Sequence, residues 1–178
     1  LFNHALDQTV KKLKAQLANI LTLVNLSLGG YAIIAIINNQ LNLGLLLIFL
    51  AALADRFDGI AARKFNCESE LGKQLDSMCD IISFGVAPAL LLYQGLLVEL
   101  GAPGTFFAVF YIGCGAFRLA RFNISENNGF FTGMPITVAG CLATFSFLFI
   151  PHAHPVFFLC LIILLSLLMV SSFTFKKV

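Results

Sequence analysis

The chain has 178 residues, 59% of them hydrophobic and 11% charged, with a mean hydropathy of +0.92 and a net charge of +2. A soluble domain is nearer a quarter charged, so the composition is that of an integral membrane protein, and the length suits one compact bundle. So small a net charge gives no ground for nucleic-acid binding, and five cysteines without a C-x-x-C (Cys67, Cys79, Cys114, Cys141, Cys160) point to neither a zinc site nor a disulfide framework.

Phe2, Leu6, Val10, Leu13 and Leu17 recur at helical spacing, while Lys11, Lys12 and Lys14 project elsewhere. Residues 1–19 are therefore expected to form an amphipathic juxtamembrane helix, with its lysines toward anionic lipid headgroups. The alternative is an ordinary solvated helix packed on the bundle. No continuous apolar core of a cleavable signal peptide is visible there.

Residues 20–178 are expected to form one transmembrane domain of six spans, at about 20–37, 43–62, 73–97, 105–122, 134–150 and 156–173. Lipid offers the backbone no hydrogen-bond partners, and these runs lack β-barrel alternation, so the spans are helices and the fold is all-α. Asn19, Thr22 and Asn25 form a polar stripe on the first span, either lining a polar cavity or bonding between helices. Gly29–Gly30 and the pair Gly113 and Gly115 permit close helix contact, and Pro88 is expected to kink the third span. His152 and His154 are expected in a solvated turn.

All eleven Lys and Arg residues fall on one side of such a bundle, and the opposite turns, 38–42, 98–104 and 151–155, contain none. The positive-inside rule then puts both termini in the cytoplasm. The plasma membrane of a prokaryote is the expected location, with the chemistry facing the cytoplasm.

That chemistry is expected between the second and third spans. Asp55 and Asp58 are spaced i, i+3, and Asp76 and Asp80 are spaced i, i+4, so each pair shares one helix face. A charge inside a membrane costs about 2.5–3.5 kcal/mol on insertion scales, so four acids need compensation. An all-oxygen cluster suits Mg²⁺ or Mn²⁺, ions that complete their shells with water and substrate phosphates. Gly59 removes a side chain where a ligand can approach the backbone, and Arg63 offers a planar donor to phosphate.

The residues Asp55, Asp58, Gly59, Ala62, Arg63, Gly72, Asp76 and Asp80 fit D-x-x-D-G-x-x-A-R-x8-G-x-x-x-D-x-x-x-D without a gap. This resembles the signature of the CDP-alcohol phosphatidyltransferases. The pattern fixes eight positions over 26 residues and is highly specific. One departure stands on the first span, where Ala18-Asn19 replaces the Pro-Asn common in the family. Three further stretches resemble the phosphatidylserine synthase branch: I-I-S-F-G-V-A-P-A at 81–89, C-G-A-F-R-L-A-R-F-N at 114–123 and G-M-P-I-T at 133–137.

The resemblance implies transfer of a phosphatidyl group from CDP-diacylglycerol to L-serine, releasing CMP, in a homodimer among membrane lipids. It implies donor binding by Asp55, Asp58, Gly59, Ala62, Arg63, Gly72 and Asp76, with Gly72 leaving room for the cytidine. Asp80 is expected both to join the metal ligands and to act as general base in a direct displacement. Arg118 and Arg121, spaced i, i+3, are candidates for the serine carboxylate or a donor phosphate, with Ser83 and Asn123 as weaker candidates for the same site. Other readings are a sister enzyme using glycerol 3-phosphate, inositol phosphate or another alcohol, and an archaeal ether-lipid donor. From a different class, a divalent-cation transporter would also carry intramembrane acids, but it should carry polar residues across the other leaflet, where few occur.

Overall fold

Apolar runs of this length fold as helices, and helices supply nearly all of the described structure. The computed structural model describes residues 2–65, 70–124, 130–152, 154–171 and 174–176, with side chains described within 19–57, 59–60, 70–124, 133–151 and 154–171. The helices are α1 (Phe2–Ile37), α2 (Leu41–Phe65), α3 (Glu70–Asp80), α4 (Ala87–Gly95), α5 (Ala102–Ile124), α6 (Ile136–Ser146) and α7 (Pro155–Val170). A π-helical turn, Ile81–Val86, joins α3 to α4, and 3-10 turns at Leu97–Leu100 and Phe147–His152 follow α4 and α6. Two three-residue strands, β1 (Phe130–Thr132) and β2 (Thr174–Lys176), pair antiparallel with Phe131 opposite Phe175. The sequence pattern did not foretell this pair, because three residues are too few to show alternation.

Among the described residues, three stretches are long and apolar enough to cross a membrane: Asn19–Ile37, Glu70–Gly95 and Ala102–Ile124. Shorter apolar helices run over Ile136–Pro151 and Pro155–Val170. α2 has 25 residues, with Asp55, Arg56 and Asp58 in its carboxyl half. Large apolar side chains such as Ile34, Leu53, Phe106, Phe117 and Leu167 point outward, each more than half exposed. Apolar exposure on every side is what a lipid solvent permits and water does not. α1 runs unbroken across Asn19; the side chains that would make its first 18 residues amphipathic lie outside the described residues.

α1 lies along α2 and also touches α3, the π-helical turn and α4; α5 packs on α7, and α6 on α4, the π-helical turn and α2. Gly29 lets α1 close onto the turn, since a Cβ there would sit 3.0 Å from Ser83 Cα. Further along, Ala32, Ala35 and Ile36 pack with Ala87 and Leu91. Later residues of α1 thus meet later residues of α4, so α1 runs parallel to the α3–α4 rod. Of each expected glycine pair only one member is in close contact: Gly30 and Gly113 face open space, whereas Gly29 meets Ser83 and Gly115 meets Ile136.

A π-helical turn precedes Pro88, the residue expected to kink this span. Proline has no N–H and crowds the carbonyl four residues back. That carbonyl belongs to Phe84, and the buried Tyr111 hydroxyl on α5 donates to it at 3.2 Å. Two other buried hydroxyls are satisfied within their own helices: Thr144 donates to Gly140 O at 2.8 Å and Ser166 to Ile162 O at 2.7 Å. His154 caps α7, its Nδ1 accepting from the Val156 N–H at 3.4 Å.

Gly140 gives this packing a direct test. A Cβ there would lie 2.7 Å from both the Cβ and the carbonyl oxygen of Phe84, whereas one at Gly113 would meet nothing within 4 Å. Gly140→Ala should lose about 1–3 kcal/mol to overpacking. Gly113→Ala should be neutral, or gain up to about 1 kcal/mol from helix propensity. Thermal unfolding of the two variants in one detergent compares them.

Candidate active site

α2 and α3 are consecutive helices, and their acidic faces meet. One carboxylate oxygen from each of Asp55, Asp76 and Asp80 lies within 4.8 Å of the other two. Asp55 and Asp76 are partly buried, while Asp80 is only 8% exposed. Its Oδ1 has no hydrogen-bond partner among the described residues. The i, i+4 spacing explains why one face of α3 presents both of its acids. Asp58 follows Asp55 by three residues on α2, but its side chain, like those of Ala62 and Arg63, lies outside the described residues. At such separations two carboxylates repel by about 3 kcal/mol at an effective dielectric near 20. An all-oxygen donor set, crowded and holding an orphaned buried oxygen, fits a hard divalent cation such as Mg²⁺ or Mn²⁺.

The cluster forms one end of a cavity of about 1040 Å³. Arg56 and Gly59 continue its polar part. Most of the remaining wall is apolar and comes from two helices, with Phe49 and Leu53 on α2 and Val138, Leu142 and Phe145 on α6. Leu53, Val138, Leu142 and Phe145 are each about half exposed, so the wall opens toward the lipid-facing surface. Such a cavity takes an amphiphile, with its charged head at the acids and its apolar part along α2 and α6.

α5 approaches the same cluster from another side. The Arg118 guanidinium is near enough to Asp80 for their charges to attract, and it stacks on Phe122 with 5.4 Å to the ring centroid. Its Nε is buried without a hydrogen-bond partner among the described residues. Asn123 donates to Ser77 Oγ at 3.1 Å, tying the end of α5 to α3 beside Asp76. Arg121 reaches elsewhere, with Nη1 donating to the Val170 carbonyl of α7 at 3.4 Å. That places the guanidinium at a helix C-terminus, where cations are favoured. Ser83 is fully buried against α1 and donates to the Asn25 carbonyl at 3.3 Å. Gly72 stands in the first turn of α3.

A model of the CDP-alcohol phosphatidyltransferase family matches residues 15–175. The chain belongs to this family. Its similarity extends to named relatives. A CDP-diacylglycerol--serine O-phosphatidyltransferase of Bacillus subtilis is 41% identical over 133 residues, covering 74% of this chain and 75% of that protein. One of Methanocaldococcus jannaschii is 37% identical over 161 residues, covering 90% and 74%. An archaetidylserine synthase of Methanothermobacter thermautotrophicus is 36% identical over 167 residues, covering 91% and 70%.

For a CDP-alcohol phosphatidyltransferase, the structure brings together three of the four acids read from the motif, with Gly59 at the cavity and Arg118 near enough to Asp80 for their charges to attract. It turns Arg121 toward α7 and Ser83 toward α1. Sequence reasoning missed the contribution of α6, whose Thr137 and Cys141 line the cavity. Thr137 ends the G-M-P-I-T stretch, so the signal was present, but nothing in the spacing said that α6 would face α2. Arg56, which the sequence offers only as one of the one-sided charges, lines the polar end.

Asp55→Asn and Asp76→Asn each remove one oxygen donor charge while preserving shape. Either should weaken Mn²⁺ binding by more than the about tenfold that losing even an outer-shell partner costs. Electron paramagnetic resonance titration of the purified protein measures this directly.

Proposed function

We propose that this family member transfers a phosphatidyl group from CDP-diacylglycerol to the hydroxyl of L-serine, giving phosphatidylserine and CMP. The observation that carries this reading is a single cavity joining a triad of carboxylates to a lipid-facing apolar wall. CDP-diacylglycerol is an amphiphile with a diphosphate at its head, so its polarity matches that cavity from end to end. Serine is the acceptor in the names of the relatives, which supports serine over a phosphorylated alcohol. The archaetidylserine synthase supports a second reading of the donor alone, in which the lipid part differs and the cytidine diphosphate head does not.

Asp55, Asp76 and Asp80, together with Asp58, would hold the divalent cation. When bound, that cation neutralises diphosphate charge and stabilises the departing CMP. Arg63 and the backbone near Gly59 hold the nucleotide phosphates, with Ala62 and Gly72 leaving space beside them. Arg118, stacked on Phe122 and near enough to Asp80 for their charges to attract, would hold the serine carboxylate. Arg121, Ser83 and Asn123 shape the acceptor side at one remove, through the α7 terminus, α1 and Ser77. Asp80 takes the proton as the serine oxygen attacks the phosphorus that bears the diacylglycerol. The new P–O bond forms as the bond to CMP breaks, and the proton remains on Asp80 until water removes it. No covalent intermediate on the protein is required.

The bundle would span the bilayer six times, with α2, α6 and α7 joining the three longer stretches. Both termini would then lie in the cytoplasm, residues 1–19 at the interface, and the acids within reach of a water-soluble nucleotide. The one-sided distribution of Lys and Arg supports this orientation in a prokaryotic plasma membrane. Exposed aromatic rings along α5, Phe106 and Phe110 stacked at 6.2 Å, leave apolar surface for a second copy in a homodimer or for lipid.

Purified protein in detergent should release CMP from CDP-diacylglycerol when serine is present, and EDTA should stop it. Release only with glycerol 3-phosphate or inositol phosphate would replace the acceptor and keep the family. Asp80→Asn should lower kcat by at least about 100-fold, the low end of what a general base contributes, while donor binding stays measurable. Arg118→Ala should raise the serine KM by about tenfold or more, as loss of a charged hydrogen bond does. An unchanged serine KM with weaker donor binding would reassign Arg118 to the lipid phosphate.

A further inference from the structure

The lining of the cavity separates into a floor and a rim. Along α2, Ala52, Asp55 and Gly59 are half-buried, whereas the residues that follow each of them, Leu53, Arg56 and Ile60, are exposed. α6 repeats the pattern, with Thr137 and Cys141 half-buried and Val138 and Leu142 exposed. Within each row the spacing is i, i+3 or i, i+4, so each row is one stripe of its helix. Among the described lining residues Arg56 is the only cation, and its neighbours along the rim are apolar. Consecutive residues of a helix do not face each other, so Asp55 on the floor is poorly placed to pair with it. A cation on a lipid-facing rim calls for a counter-charge.

The direction of the helices says where along the cavity that cation stands. Early residues of α2 meet late residues of α1, as Gly44 meets Ile36, so these two helices are antiparallel. α6 follows the α3–α4 rod instead, with Gly140 against Phe84 and then Phe147 against Gly95. α1 is parallel to the same rod, so α6 is antiparallel to α2. Gly59 and Thr137 therefore share one end of the cavity, and Phe49 and Phe145 the other. Arg56 lies one turn beyond Leu53, where the apolar run of the rim reaches the level of the acids. An amphiphile with its chains between Leu53 and Phe145 brings the first charged group after its glycerol to this guanidinium.

We propose that Arg56 holds the phosphate attached to the diacylglycerol, so that the cavity recognises a lipid phosphate separately from the nucleotide. The inference rests on the reading of the cavity as the donor site, and it adds a residue that the eight-position motif leaves free. A guanidinium fork matches two phosphate oxygens at once, and its aliphatic stem suits an apolar rim. The lipid-side phosphate is common to the donor and to the phosphatidylserine product, while the other phosphate leaves in CMP. Arg56 therefore acts on both lipids and not on CMP.

The test uses the full chain in detergent micelles of fixed lipid fraction, with Arg56→Gln and Arg56→Lys. Arg56→Gln should raise the KM for CDP-diacylglycerol by about tenfold, and the inhibition constant of phosphatidylserine by a similar factor, as loss of a charged hydrogen bond does. The inhibition constant of CMP and the KM for serine should stay within about twofold. Arg56→Lys keeps the charge and loses the fork, so it should recover part of both lipid affinities. Donor and phosphatidylserine constants unchanged in Arg56→Gln would leave Arg56 a topological charge and overturn the proposal alone. A loss of CMP affinity as large as the loss for the donor would move Arg56 to the nucleotide phosphate, and would also overturn it. A parent protein that turns over no CDP-diacylglycerol overturns the donor reading of the cavity, and the inference with it.

Discussion

Three carboxylates held within 4.8 Å of one another, at the end of a cavity in an apolar bundle, are the constraint to which the rest of the structure answers. Left alone they repel, and burial removes the water that would screen them. Every neighbouring element eases that tension. α2 and α3 fix the oxygens at a spacing suited to a hard cation. α5 brings the Arg118 guanidinium near enough to the buried acid for their charges to attract. A fold that keeps such a cluster trades some stability for a place where phosphate charge can be received.

The acidic site was legible in the sequence because it is local. Asp55 and Asp58, and then Asp76 and Asp80, obey helical spacing, and helix geometry alone puts each pair on one face. The helices were legible for a similar reason, since apolar length in lipid admits few alternatives. What escaped notice depended on which helix meets which. Thr137 and Cys141 could not be assigned to the cavity without knowing that α6 packs across α2. Arg118 and Arg121, equivalent by spacing, were separated only when α7 ended beside one of them and offered its last carbonyls.

Pro88 shows the same limit from the other direction. Sequence alone announces that a hydrogen bond is missing there, but not what replaces it. The replacement comes from Tyr111, more than twenty residues away, and the disturbance spreads backward as a π-helical turn starting right after Asp80. Irregular turns of this sort often accompany functional positions, because they shift the facing of a side chain without ending the helix.

α5 grips the α3–α4 rod at two places, Asn123 on Ser77 and Tyr111 on Phe84, and these bracket Asp80 along the chain. Arg118 sits on α5 between the two fastenings. The gap between the guanidinium and the acid is therefore set like the jaws of a caliper, by two rods pinned above and below it. On the proposed reading, an acceptor that held its carboxylate at one jaw and its hydroxyl at the other would be gauged by length. One methylene more or less would then put the oxygen out of line with phosphorus.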